Sequence, residues 1–161
     1  MKEILMIFFL VIINIISSAQ SLKGFTLGEK LVGSTMKLTT VAGIKGGVGV
    51  ETLKDGTIAM ILFMPSTSNG EKVKRISEVE LNRLKNGIEE NYNVSFTKEE
   101  EDYSENFTYL ALDLNDNTVY SIKVDYDEFF DEPYEISFAI TNKRMMVMRE
   151  KEQQEKANSD F

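Results

Sequence analysis

The chain contains no cysteine and no histidine, and the two absences remove whole classes of chemistry. Zinc sites built on Cys or His, haem held by those residues, thiol nucleophiles and Ser-His-Asp triads cannot be assembled within it. Any bound metal would need oxygen ligands, which points to calcium or magnesium. Acid–base work would fall to carboxylates, Lys or Tyr. Basic clusters are also scarce. Lys72, Lys74 and Arg75 form the one tight group, and the formal charge is −8. An acidic surface of this kind repels phosphate backbones, so a nucleic-acid partner is not expected.

What is present is a globular composition. In 161 residues, 42% are hydrophobic and 10% aromatic, enough for one domain with a core rather than a disordered chain. Ile4 to Ile16 is apolar apart from Asn14, and at thirteen residues it is shorter than the roughly 20 a membrane-spanning helix requires. Lys2 precedes it and Ser17-Ser18-Ala19 follows, with small residues placed for cleavage before Gln20. Residues 1–19 therefore read as a signal peptide, and a secreted or periplasmic destination is expected. No stable membrane anchor is expected after cleavage. Residues 20–142 then form an α+β domain and 143–161 a C-terminal helix and tail. A secreted chain without cysteine takes no stability from disulfides.

Three glycines, Gly24, Gly28 and Gly33, argue against a long helix in the opening stretch of the domain. Leu38 to Met64 reads as a β-meander, with two-residue turns expected at Gly46-Gly47 and Asp55-Gly56. The second turn would set Leu53 opposite Ile58, Glu51 opposite Met60 and Val48 opposite Phe63. Ile58 to Met64 is apolar on both faces and reads as a central, covered strand. The glycines from Gly43 to Gly49 lead into a strand, whereas a phosphate-binding loop leads into a helix. Turn glycine is the better reading.

Ser77-Glu78-Val79-Glu80 is a capping box, and Ile76, Val79, Leu84 and Ile88, with Leu81, trace an amphipathic helix to about Asn91. Tyr92 to Thr97 reads as a strand, and Lys98 to Glu105 as an acidic loop. Three strands follow. Leu110, Leu112 and Leu114 are expected to face inward on the first. Tyr120, Ile122, Val124 and Tyr126 do so on the second, and Tyr134, Ile136, Phe138 and Ile140 on the third. Paired residues share a face, which calls for a three-residue turn at Asn115–Asn117 with Leu112 opposite Tyr120 and Asn117 left-handed. The next connection closes with Tyr126 opposite Tyr134. From Lys143 a helix is expected, with Met145, Met148 and Met146 on a short apolar face and a distal half that frays or projects. The fold class is thus α+β, an antiparallel sheet of six to seven strands in two meanders, backed by one helix.

Candidate sites concentrate in the loop Asp127–Pro133. Asp125, Asp127 and Asp131 could gather around a calcium ion, or supply carboxylates to a hydrolase; the alternative is a solvated acidic loop. Asp113-Leu-Asn115-Asp-Asn117 opens like an EF-hand, but Thr118 and Val124 stand where Gly and Glu are required, so it reads as a turn. Phe129-Phe130, framed by Tyr126 and Tyr134, offers aromatics for a protein partner; the competing reading folds both rings over the sheet edge. The leading expectation is a secreted, non-catalytic binding or accessory domain that contacts a protein or other extracellular ligand through this loop and needs no cofactor.

Phe25-x-Leu27-Gly28, and the glycine-turned meander ending Asp55-Gly-Thr-Ile-Ala-Met-Ile-Leu-Phe63 before an amphipathic helix, resemble the repeats of β-lactamase-inhibitor-protein-like domains and related outer-membrane-assembly lipoproteins. The resemblance covers roughly residues 24–92. It implies a small secreted bacterial scaffold that binds without catalysis, and it transfers no functional residue. This chain departs from the pattern by lacking the lipoprotein cysteine and by continuing into a second meander.

Overall fold

The computed structural model describes residues 20–67, 69, 75–102, 104–129 and 134–159. The expected signal peptide lies outside them. A short hairpin, β1 (Ser21–Leu22) and β2 (Phe25–Thr26), precedes β3 (Met36–Val41), β4 (Ile44–Thr52) and β5 (Ile58–Pro65). Helix α1 (Glu78–Tyr92) is followed by β6 (Thr97–Glu100), β7 (Phe107–Asp113), β8 (Thr118–Tyr126), β9 (Tyr134–Asn142) and helix α2 (Lys143–Ser159). The two meanders join into one seven-stranded antiparallel sheet of order β3-β4-β5-β9-β8-β7-β6. The join is the pairing of β5 with β9, with Ile61 opposite Ile140 and Phe63 opposite Phe138. Both strands put their bulkiest apolar residues on one face, and Leu81, Leu84 and Ile88 of α1 complete a common core there. No described helix is long and apolar enough to cross a membrane.

The first meander turns earlier than its glycine pairs suggest. Ala42 and Gly43 both take positive φ, 47° and 81°, and close the β3–β4 hairpin with Val41 opposite Ile44. Gly46 and Gly47 lie inside β4 instead. A side chain at Gly46 would collide with Phe63 of β5, so glycine there serves close packing rather than chain reversal. The Asp55-Gly56 turn is present, and Val48 pairs Phe63 and Glu51 pairs Met60 as expected. A bulge between Glu51 and Thr52 then sets Thr52, not Leu53, against Ile58. Strand β5 is paired on both sides; Ile61 and Phe63 are fully buried on one face, while on the other Met60 and Leu62 are half-buried and Met64 is exposed.

The capping box at α1 forms as read: the Ser77 hydroxyl accepts from the Glu80 amide at 3.4 Å and the Glu80 carboxylate accepts from the Ser77 amide at 3.2 Å. Val79 is 68% exposed and does not share the buried stripe. The helix runs one residue further than expected and ends at Asn93, whose left-handed backbone (φ 54°) returns its N–H to the Glu89 carbonyl. No strand begins at Tyr92, because that residue closes the helix. Val94 and Phe96 still pack against the core. The strand is Thr97–Glu100, which begins at the last residue of the expected strand and runs into the stretch expected to be an acidic loop, and it forms an exposed edge.

On β7 the expected phase is inverted. Phe107 and Ala111 are buried, while Leu112 is 41% and Leu114 78% exposed. Ala111, not Leu112, lies opposite Tyr120, and both are buried. The turn is consequently four residues, Leu114–Asn117, between the paired Asp113 and Thr118. Asn117 is left-handed, φ 60°, as expected. The carboxylates of this turn are spent locally: Asp113 accepts from the Asn115 amide and Asp116 from the Thr118 amide, each at 3.0 Å. The β8–β9 register is as read from the alternation, ending with Tyr126 opposite Tyr134.

Helix α2 docks along most of its length rather than projecting. Arg149 pairs with Glu51, Glu152 accepts from the Lys54 amide at 2.9 Å and Glu155 pairs with the Lys54 ammonium at 3.2 Å. These contacts turn the Met145–Arg149–Glu152 face inward and leave Met146 and Met148 exposed.

Candidate functional site

The loop after β8 starts from a braced base. The rings of Tyr126 and Tyr134 lie 5.4 Å apart, and Phe107 meets Tyr134 edge-on at 6.3 Å. Asn106 accepts from the Tyr126 amide at 3.0 Å, and the Tyr134 carbonyl accepts from the Ile76 amide at 2.8 Å. Burial, reinforced by the neighbouring Glu78 charge, pushes the Tyr134 hydroxyl above its ordinary value. Beyond the base, the Arg75 guanidinium pairs with Asp127 at 3.2 Å, and the other Asp127 oxygen accepts from the Phe129 amide at 3.1 Å. This Asx turn lifts Phe129 clear of the sheet, 89% exposed. Phe130, Asp131, Glu132 and Pro133 lie outside the described residues.

The carboxylates expected to hold a cation have other partners. Asp125 pairs with Lys123 at 3.3 Å and Asp127 with Arg75; Asp131 lies outside the described residues. Among the described residues no three acidic side chains are grouped to hold a metal ion. The groove between the β4–β5 turn and α2, about 570 Å³, contains Glu51 and Glu152, but Arg149 and the Lys54 amide engage them. That arrangement offers no carboxylate pair set for acid–base chemistry.

A second feature was not legible in the sequence. Between α1, the β1–β2 hairpin and the β3–β4 turn lies a pocket of about 220 Å³ with an apolar wall that includes Leu22, Val41, Ile88 and Phe138. Lys23, Ala42 and Gly87 also line it. Tyr92 forms one side, its hydroxyl donating to the Ser21 carbonyl at 2.6 Å and its ring 4.9 Å from Tyr120. Burial pushes the Tyr92 hydroxyl up to about 12, against the opposing Asn91 hydrogen bond. It raises the enclosed Tyr120 hydroxyl as well, against a hydrogen bond to Gln20. The signals available beforehand were two X-Gly pairs, Lys23-Gly24 and Ala42-Gly43, and a glycine inside a helix. None of them indicates that the three converge.

No family model matches the chain, and neither curated proteins nor solved structures match it.

Proposed function

We propose that this protein is an exported, non-catalytic binding domain that engages a protein partner through the loop following Tyr126. The observation that carries the reading is the exposure of Phe129 at the end of a braced hairpin. A large aromatic presented to water on a turn already held by hydrogen bonds loses little freedom on binding, and such residues serve as interface anchors. Asp127 is already paired with Arg75, so the complementary surface is an apolar pocket that receives the ring, with Glu128 beside it. The test is comparative capture from an extracellular or periplasmic extract with wild type and a Phe129→Ser, Phe130→Ser variant. Selective loss of a captured protein by a variant that melts like wild type supports the proposal. Identical capture by both proteins overturns it.

A further inference from the structure

Local backbone preference is violated at three positions, and all three border the same pocket. Two-residue hairpin turns with positive φ at both central residues favour Asn, Asp or Gly at the first of them. Here Lys23 (φ 53°) and Ala42 (φ 47°) occupy those first positions. A side chain in the left-handed region is strained, and residues kept there at a cost concentrate at functional sites. The third is Gly87, which weakens α1 from within. A methyl group there would stand 3.4 Å from the Ala42 Cβ, facing the β3–β4 turn. Two hairpin turns and one helix each depart from their best local residue, and Lys23, Ala42 and Gly87 all line one apolar cavity.

Size and charge specify the occupant. A dry cavity of about 150 Å³ accommodates a benzene ring, and this pocket is about 220 Å³, room for a single ring or short acyl chain with a small polar group. Lys23 is the one charged residue in its lining and forms no ion pair among the described residues. Asn91 adds a neutral amide at the exposed rim. Lys37 and Arg83 stand just outside, against the neighbouring turn glycines Gly24 and Gly43, so the mouth is cationic in a chain of charge −8; it favours a negative charge on an apolar body, with Lys23 the one ammonium in the lining to receive it. We infer that the pocket between α1 and the two hairpin turns binds a small amphipathic carboxylate, its apolar part against Ile88 and Phe138 and its carboxylate on Lys23.

Protein purified from cells expressing the whole chain is titrated with benzoate and hexanoate, and separately with the neutral amides benzamide and hexanamide, while the methyl resonances of Leu22, Val41 and Ile88 are followed. The expected result is movement of those methyls, with each acid binding at least tenfold more tightly than its amide. Lys23→Met should reduce acid affinity to that of the amide and leave the amide unchanged. Gly87→Ala should weaken both ligands, with melting recorded to show that the fold persists. Lys23 sits on an exposed turn, so its variant remains informative if the Gly87 variant fails to fold. No methyl movement at millimolar ligand, equal affinity for acid and amide, or an unaltered Lys23→Met variant would each overturn the assignment.

Discussion

A methyl group on Gly46 would lie 2.5 Å from the ring of Phe63 and would also collide with the Met64 carbonyl oxygen. Neither neighbour can yield, because Phe63 is fully buried and Met64 belongs to the paired backbone of β5. Gly46→Ala is therefore expected to destabilise the fold by about 3 kcal/mol, the upper end of overpacking costs. At the adjacent Gly47 a methyl group would meet the flexible Met36 side chain at an ordinary 3.7 Å, and Gly47→Ala should stay within about 0.5 kcal/mol of wild type. Urea unfolding of the pair is the check, and equal midpoints would show that β4 and β5 are not packed this way.

Glu89 ties the end of α1 to the following segment. Its carboxylate accepts from the Phe96 amide at 2.9 Å and holds the Lys85 ammonium at 2.9 and 3.0 Å. Burial pushes the carboxyl up, but the Phe96 amide and Lys85 together outweigh it and hold it below the ordinary glutamate value. A carboxyl lowered in the folded state contributes stability above its unfolded value, and that contribution is lost as pH falls through the folded value. Glu89→Gln should therefore flatten the acid limb of the stability–pH profile. Glu89→Ala, which also leaves the Phe96 amide without its acceptor, should cost about 1–2 kcal/mol at neutral pH.

Phe129 separates binding from folding. With its ring in water, Phe129→Ser should change stability by no more than about 0.5 kcal/mol. Partner affinity should fall by about 30-fold, as for an interface anchor worth about 2 kcal/mol. Melting curves and titration with a captured partner give the two readouts. A variant that loses stability instead would assign the ring to the fold.

The attachment of α2 to the β4–β5 turn is mainly charged, through Arg149–Glu51 and Lys54–Glu155, each with at least one half-exposed partner. Such pairs are individually weak and sensitive to salt. Raising ionic strength from about 0.1 to 1 M shortens the screening length from about 10 to 3 Å. Amide exchange in residues 149–156 should then accelerate while that of β8 and β9 stays constant. Uniform behaviour across the chain would indicate that apolar contacts such as Met145 against Gly28 hold the helix.

The alternating residues from Tyr120 to Ile140 and the capping box at Ser77 specified one paired hairpin and one helix start without reference to the rest of the chain. Both depend on neighbours in sequence: a period of two commits one face, and a hydroxyl three residues from a glutamate caps its own turn. The missing cysteine and histidine likewise excluded their chemistries by composition alone. The phase of β7 was different in kind. Phe107, Tyr109 and Ala111 alternate with Thr108, Leu110 and Leu112, so either set could face the core. The choice came with the pairing, which sets Phe107 and Ala111 opposite the buried Val124 and Tyr120 of β8. Gly46 was similarly ambiguous until Phe63 of β5 lay beside it. The pocket required still more, since Lys23, Ala42 and Gly87 come from three separate elements. Their convergence is set by the packing of α1 and the two turns around a common core, which no local pattern in the chain encodes.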